Sequence, residues 1–199
     1  MKKDIILAGV GGQGILTIAT VIGEAATAAG VTIKQAEVHG MSQRGGDVQS
    51  NLRLSTSAIH SDLIPQGQAD IIIAMEPMEA LRYVTFMSAT GWIITSGEPF
   101  VNIPNYPSPE LIAAELARFP HVRVLNIETL AKQNLMPKSA NMILLGMAAP
   151  FIEIVTAAEL RSAITRVFAS KGDNIVKKNI EAFDIGVKAG KNNEETPVN

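Results

Sequence analysis

The chain has 199 residues, 47% of them hydrophobic and 18% charged, with a formal net charge of -2 and no cysteine. That length and apolar content fit one compact domain and exclude a disordered chain, while the near-neutral balance with scattered Lys and Arg argues against a nucleic-acid partner. The lack of cysteine excludes disulfides, thiolate nucleophiles and cysteine-ligated iron-sulfur clusters within this chain.

The N-terminal Met-Lys-Lys-Asp leads into an apolar run too short for a signal peptide, and no stretch of about 18 apolar residues offers a membrane span. A cytoplasmic location without membrane contact is expected. "DIILAGV" (4–10) predicts a strand entering a glycine turn, and "GILTIATVIGEAATAAG" (14–30) a helix that Gly30 stops. "VTIKQAEV" (31–38) predicts a second strand, parallel to the first through a right-handed crossover.

A polar loop, "HGMSQRGGD" (39–47), comes next, and then "VQSNLRLS" (48–55), whose alternation predicts a strand with one solvated face. "ADIIIAM" (69–75) predicts a strand buried on both sides, followed by a helix "PMEALRYVTFM" opened by Pro77. "GWIITS" and "HVRVLNI" predict further strands around a proline-rich connection and a helix capped by Ser108. From Thr129 four helices are expected, each opening on a Thr, Ser or Asp cap, and residues 191–199 read as a frayed tail. The fold class is α/β: a Rossmann-like, open, mostly parallel sheet with helices on both faces and a helical C-terminal segment, forming one domain over residues 1–190.

Gly9, Gly11 and Gly14 have the spacing G-x-G-x-x-G after a strand, and Glu37 ends the second strand where a ribose-binding acid would stand. Gly9 would permit the tight turn, Gly11 the close approach of a phosphate or another backbone, and Gly14 helix packing on the strand. Three readings stay open on these residues: a dinucleotide site, a site for another phosphate-bearing or acyl ligand, and a turn that only packs the helix. The first would make the chain a stand-alone NAD-binding protein, a dehydrogenase or redox sensor.

In the loop, Arg44 offers a bidentate contact to a carboxylate or phosphate, His39 a donor or acid near neutral pH, and Ser42 and Gln43 neutral donors. The plain alternative pairs Arg44 with Glu37 or Asp47 and leaves His39 at a strand end. His60 and His121 lack metal-ligand spacing, so no metal site is expected. Met75, Met78, Met87, Met142 and Met147 read as filler of cores and interfaces, and Glu76 as a helix-start carboxylate. No grouping supports a hydrolase.

"GVGGQG" (9–14) together with "EVHGMSQRGGDVQSNLRLS" (37–55) resembles the gamma-domain family of 2-oxoacid:ferredoxin oxidoreductases, most of all its indolepyruvate branch. "ADIIIAMEPMEALR", "NMILLG" and the closing helix with Asn179, Ala182, Phe183 and Gly186 extend the resemblance over nearly the whole chain. It implies a small subunit, inactive alone and holding no cofactor firmly, of an enzyme that oxidatively decarboxylates a 2-oxoacid to an acyl-CoA and passes the electrons to ferredoxin. A large alpha subunit would carry thiamine diphosphate, Mg and the iron-sulfur clusters, and coenzyme A would be the co-substrate. "GGD" (45–47) is not a thiamine diphosphate signature.

The resemblance implies no catalytic residue here, but contact with a ligand or the partner's site by Gly9, Gly11, Gly12, Gln13 and Gly14, and by His39, Gly40, Met41, Ser42, Gln43, Arg44, Gly45 and Gly46. It also implies an apolar face for the partner; such a face can pair with itself, so a homo-oligomer of the isolated chain stays open.

Overall fold

The computed structural model describes residues 1–39 and 46–192. The helix after the first strand, α1 (Ile15–Ala28), follows β1 (Lys2–Val10) directly across the glycine turn, and Gly30, at φ 71°, ends it. β2 (Thr32–His39) and β3 (Asp47–Ser55) come next, then β4 (Ala69–Ala74), α2 (Pro77–Arg82), β5 (Met87–Ser96), α3 (Pro109–Leu116) and β6 (Val122–Leu125). Four helices close the chain: α4 (Ile127–Gln133), α5 (Ala140–Ile152), α6 (Ala157–Phe168) and α7 (Asp173–Asn192).

The six strands form one sheet in the order β2-β3-β1-β4-β5-β6. β1, β4, β5 and β6 pair in parallel, whereas β3 runs antiparallel to both neighbours, β1 and β2. The fold class is the one the sequence predicts, but the expected adjacency of β1 and β2 is corrected: they share a direction, and β3 lies between them. The physical reason is the short connection of residues 40–46, which suits a hairpin and not the dozen or more residues of a parallel crossover. β2, with Lys34, Gln35 and Glu37, is polar enough to be an edge strand, while β3 contributes buried Leu52 and Leu54 to the interior. For that reason β3 does not keep the solvated face expected of it: Ser50, Asn51 and Ser55 are buried as well.

Alternation along the strands feeds two cores. Ile5, Leu7, Ile71, Ile73 and Ile94 face α1 and the C-terminal helices, while Ile6, Ala8, Ile72, Ala74 and Ile93 face α2 and α3. α5 is apolar all round and almost wholly buried, as a central helix must be. It crosses α7 through Gly146 and Gly186, where a Cβ on either would overlap a backbone carbonyl of the other helix, Phe183 O or Ile143 O.

Local chemistry departs from the sequence reading in three places. α2 stops at Arg82 and a short 3-10 turn, Val84–Phe86, precedes β5, because Val84 and Thr85 are β-branched and poor helix formers. Of the predicted caps in the C-terminal segment, Thr156 makes a full capping box with Glu159, but α4 and α5 start without a side-chain cap bond. α7 runs to Asn192, two residues into the expected tail; residues 193–199 lie outside the described residues.

Candidate functional site: the carboxyl edge of the sheet

In an open α/β sheet, ligands gather beyond the carboxyl ends of the parallel strands. Here that edge receives the glycine turn after β1, the β2–β3 connection, the start of α2 after β4, and the long loop between β5 and α3.

The glycine turn distributes its labour differently from the sequence expectation. Gly9 is still in β1, opposite Val48, and its missing side chain makes room for Ile15 Cγ1, 2.8 Å from where a Cβ would stand. The left-handed positions are Gly12 (φ 104°) and Gly14 (φ 79°), the latter being the N-cap of α1. Gln13 latches the turn: its side-chain Oε1 accepts from Val10 N (2.7 Å) while its own N–H donates to Val10 O (3.1 Å).

Gly11 N–H donates to Gly46 O at 2.8 Å, so the other backbone approaching this glycine is the end of the polar loop. The two sequence motifs, far apart in the chain reading, therefore meet in space. His39 closes β2 opposite Val48. Gly40, Met41, Ser42, Gln43, Arg44 and Gly45 lie outside the described residues.

Beside this junction α2 carries buried acids. Glu76 is its N-cap: the carboxylate accepts from Glu79 N (2.8 Å), Phe100 N (3.3 Å) and the Tyr106 hydroxyl, tying the β5–α3 loop to the edge. Burial, then the bond to Glu76, pushes the Tyr106 hydroxyl well above its ordinary range. Glu79 holds Arg82 through two bonds of 2.9 and 3.0 Å. Tyr83 is pushed up to about 12, first by burial and then by the negative field of Asp47 and Glu79, against which Arg82 acts. Asp47 immediately follows the polar loop, so the field of α2 reaches the loop's end.

On the other side of the turn a cleft of about 820 Å³ opens between Gly12–Gly14 and the C-terminal helices, lined among others by Lys138, Ser139, Asn141, Lys178 and Asn179. Asn141 Nδ2 donates to Gly14 O (3.1 Å) and occupies the space where a side chain on residue 14 would stand. Burial pushes the Glu128 carboxyl up at this cleft, opposed by Lys132 and reinforced by Glu98. The sequence reading missed this wall. The available signal was an asparagine inside the apolar run "NMILLG", since a buried amide needs partners.

The dinucleotide reading asks for Glu37 on the strand next to β1. β3 intervenes, which places β2 about 10 Å from β1 at ordinary strand spacing, and the Glu37 carboxylate accepts from the Gln35 amide. Among the described residues no group of His, Asp and Glu is arranged to hold a metal ion, and no helix is long and apolar enough to cross a membrane.

An open α/β domain with a mostly parallel sheet, one inserted antiparallel strand and a backbone-joined pair of loops at its carboxyl edge is the class that this geometry defines. Residues 4–189 match the family described as pyruvate ferredoxin/flavodoxin oxidoreductase, and the chain belongs to that family. It is 35% identical over 200 residues to the indolepyruvate oxidoreductase subunit IorB of Pyrococcus horikoshii, covering 96% of this chain and 98% of that one. The subunit of the same name from Archaeoglobus fulgidus is 34% identical over 194 residues, covering 94% of each chain. Among solved structures, the 2-oxoglutarate:ferredoxin oxidoreductase from Magnetococcus marinus, with 2-oxoglutarate, coenzyme A and succinyl-CoA bound, superposes with a TM-score of 0.77 at 20% identity over 99% of this chain. The chain spans about a third of that protein's chain, 32%; this likeness concerns the fold.

Proposed function

We propose that the chain is the small subunit of a 2-oxoacid:ferredoxin oxidoreductase acting on aryl pyruvates such as indolepyruvate, located in the cytoplasm. The observation that carries this reading is the full-length match to subunits named for indolepyruvate oxidation. The reaction is oxidative decarboxylation to an acyl-CoA with electrons passed to ferredoxin. Thiamine diphosphate, Mg and iron-sulfur clusters do not fit this chain's own donor set, which offers no thiolate and no thiamine diphosphate signature. They belong to a large alpha subunit in this reading.

In the same reading, residues 1–190 are the working domain, and the glycine turn with residues 39–46 completes the mouth of a site built mainly by the partner. Support comes from the Gly11–Gly46 bond, which fixes the two motifs against one another at the edge where open α/β folds take ligands. The test is anaerobic co-purification of the tagged chain followed by a viologen reduction assay with coenzyme A and either indolepyruvate or pyruvate. Recovery of a cysteine-rich partner and indolepyruvate-dependent reduction is the expected result; recovery of the chain alone, binding NAD(H), would overturn it. In the reconstituted complex Arg44→Ala is expected to lower kcat/KM about tenfold or more through loss of a charge-assisted contact. Unchanged steady-state kinetics would remove the loop from the site.

A further inference from the structure

Residues 97–108, between β5 and α3, form a connection about twice the usual length in a compact domain. Its tip, "FVNIPN" (100–105), is exposed throughout, and four of those six residues are apolar. Phe100 is 45% exposed, Val101 69% and Ile103 37%. A loop has no packing need for such side chains, and an exposed apolar run of this kind is a defect unless something covers it.

The tip is fixed from below. One carboxylate holds both of its ends: Glu76 accepts from Phe100 N (3.3 Å) and from the Tyr106 hydroxyl, so residues 101–105 leave and return at a single point. Behind it, Ser96 Oγ accepts from Glu98 N (3.1 Å), and the Glu98 carboxylate accepts from Thr129 N (3.0 Å) and Thr129 Oγ1 (2.7 Å). The apolar side chains are therefore presented before anything binds, which lowers the entropy lost on association.

Charge decides what kind of surface fits over them. From residue 83 to residue 117 the chain has no Lys or Arg, while Glu98 and Glu110 flank the tip. Glu76 and Glu98 are met by N–H groups and hydroxyls, not by cations. A second copy docked symmetrically would bring these acids onto themselves, and an anionic membrane would face them with its own charge. An apolar hollow rimmed by Lys and Arg is the complementary surface.

We propose that residues 100–105 dock into such a hollow on the large subunit of the complex. The inference rests on the subunit reading: the tip stands at the same carboxyl edge as the glycine turn and Gly46, where that reading places the partner. Phe100, Val101 and Ile103 form the apolar core of the contact, and the flanking acids belong to its polar rim.

Reconstitution tests it. The cysteine-rich large subunit, freed of its native small chain, is titrated with the wild-type chain or a variant. Binding is read by sedimentation of the mixture, and the half-saturating concentration by coenzyme A-dependent viologen reduction with indolepyruvate. Phe100→Ser/Val101→Ser/Ile103→Ser is expected to raise that concentration roughly 100-fold, as loss of a central apolar cluster does. The rate at saturation and the Tm of the isolated chain should stay near wild type. Leu63→Ser, the same change at a residue 59% exposed near the other edge, should leave binding unaltered. Glu110→Lys should weaken association by roughly 3- to 10-fold at low salt, and less as salt rises.

Equal binding by the triple variant and an active wild-type chain would overturn the docking site and leave the subunit reading standing. A wild-type chain that neither binds nor activates the large subunit would overturn that reading, and the docking site with it. Sedimentation of the isolated chain supplies a further arm: a dimer that the triple variant turns into a monomer would assign the tip to a second copy. Capture of the wild-type chain, and not of the triple variant, by phosphatidylglycerol vesicles would assign it to a membrane surface. Either result would overturn the proposal.

Discussion

Both edges of the sheet bury a carboxylate, and they neutralise it by different means. At the amino edge Asp4 is 0% exposed and receives Arg53 in a two-bond pair of 2.8 and 3.0 Å, with Lys2 at 2.8 Å. Arg53 goes on to bind Ser61 O and Leu63 O, so one cation fixes the chain between β3 and β4. At the carboxyl edge Glu76 is 1% exposed and is met by two backbone amides and a phenol. A charge paired with a permanent cation is a staple; a charge held by neutral donors positions the loop that supplies them. The comparison places structural insurance at one end of the strands and adjustable geometry at the end where the two motifs meet.

The largest break is expected at the staple. Arg53→Met leaves Asp4 buried with only Lys2, and should destabilise the chain by about 3 kcal/mol, the lower part of the range for stripping a buried pair. Urea denaturation reads this, and adding Asp4→Asn to the same variant should restore part of the loss; a cost under about 0.5 kcal/mol would make this no more than a surface pair. Glu76→Ala ranks second, at about 1–3 kcal/mol for the donors it strands. Its distinguishing sign is local: the Phe100 amide should exchange faster while the amides around Asp4 keep their protection. Equal loosening at both edges would deny Glu76 its special hold on the β5–α3 loop.

Much of this architecture is legible without coordinates. Continuous apolar runs such as "DIILAGV" and "ADIIIAM" announce buried strands, and Ser108-Pro109 and Thr156 announce helix starts that exist. Neighbour relations are not legible, because alternation along β2 and β3 says nothing of which strand lies beside β1; the clue was the brevity of residues 40–46. The glycine turn is legible as a motif, yet its left-handed positions are Gly12 and Gly14, which spacing alone does not assign. Asn141 lies 127 residues from the Gly14 carbonyl it binds, and Lys138 and Lys178 come to one cleft only through the crossing of α5 and α7. That half of the site depends on tertiary packing, and local patterns cannot contain it.

The smallest effect is expected from Tyr83, and it is invisible at neutral pH. The folded protein holds the Tyr83 proton up to about pH 12, whereas an unfolded tyrosine releases it near about pH 10. Between those values the folded state binds more protons than the unfolded one, so stability falls as pH rises; below about pH 10 both are protonated and the contribution is complete. Tyr106, also raised, acts in the same direction. Tyr83→Phe should therefore reduce, and not abolish, the decline of the urea midpoint measured at pH 9, 10 and 11, and Asp47→Asn should shift it in the same sense by removing part of the opposing field. An unaltered slope in Tyr83→Phe would mean that the hydroxyl is not held in the field of Asp47 and Glu79. The raised hydroxyls of Tyr83 and Tyr106 belong to the carboxyl edge, whose acids are held by neutral donors and by Arg82, whereas no tyrosine touches the pair of Asp4 and Arg53; a tyrosine contribution to alkaline unfolding is what separates the adjustable bonding of the one edge from the staple of the other.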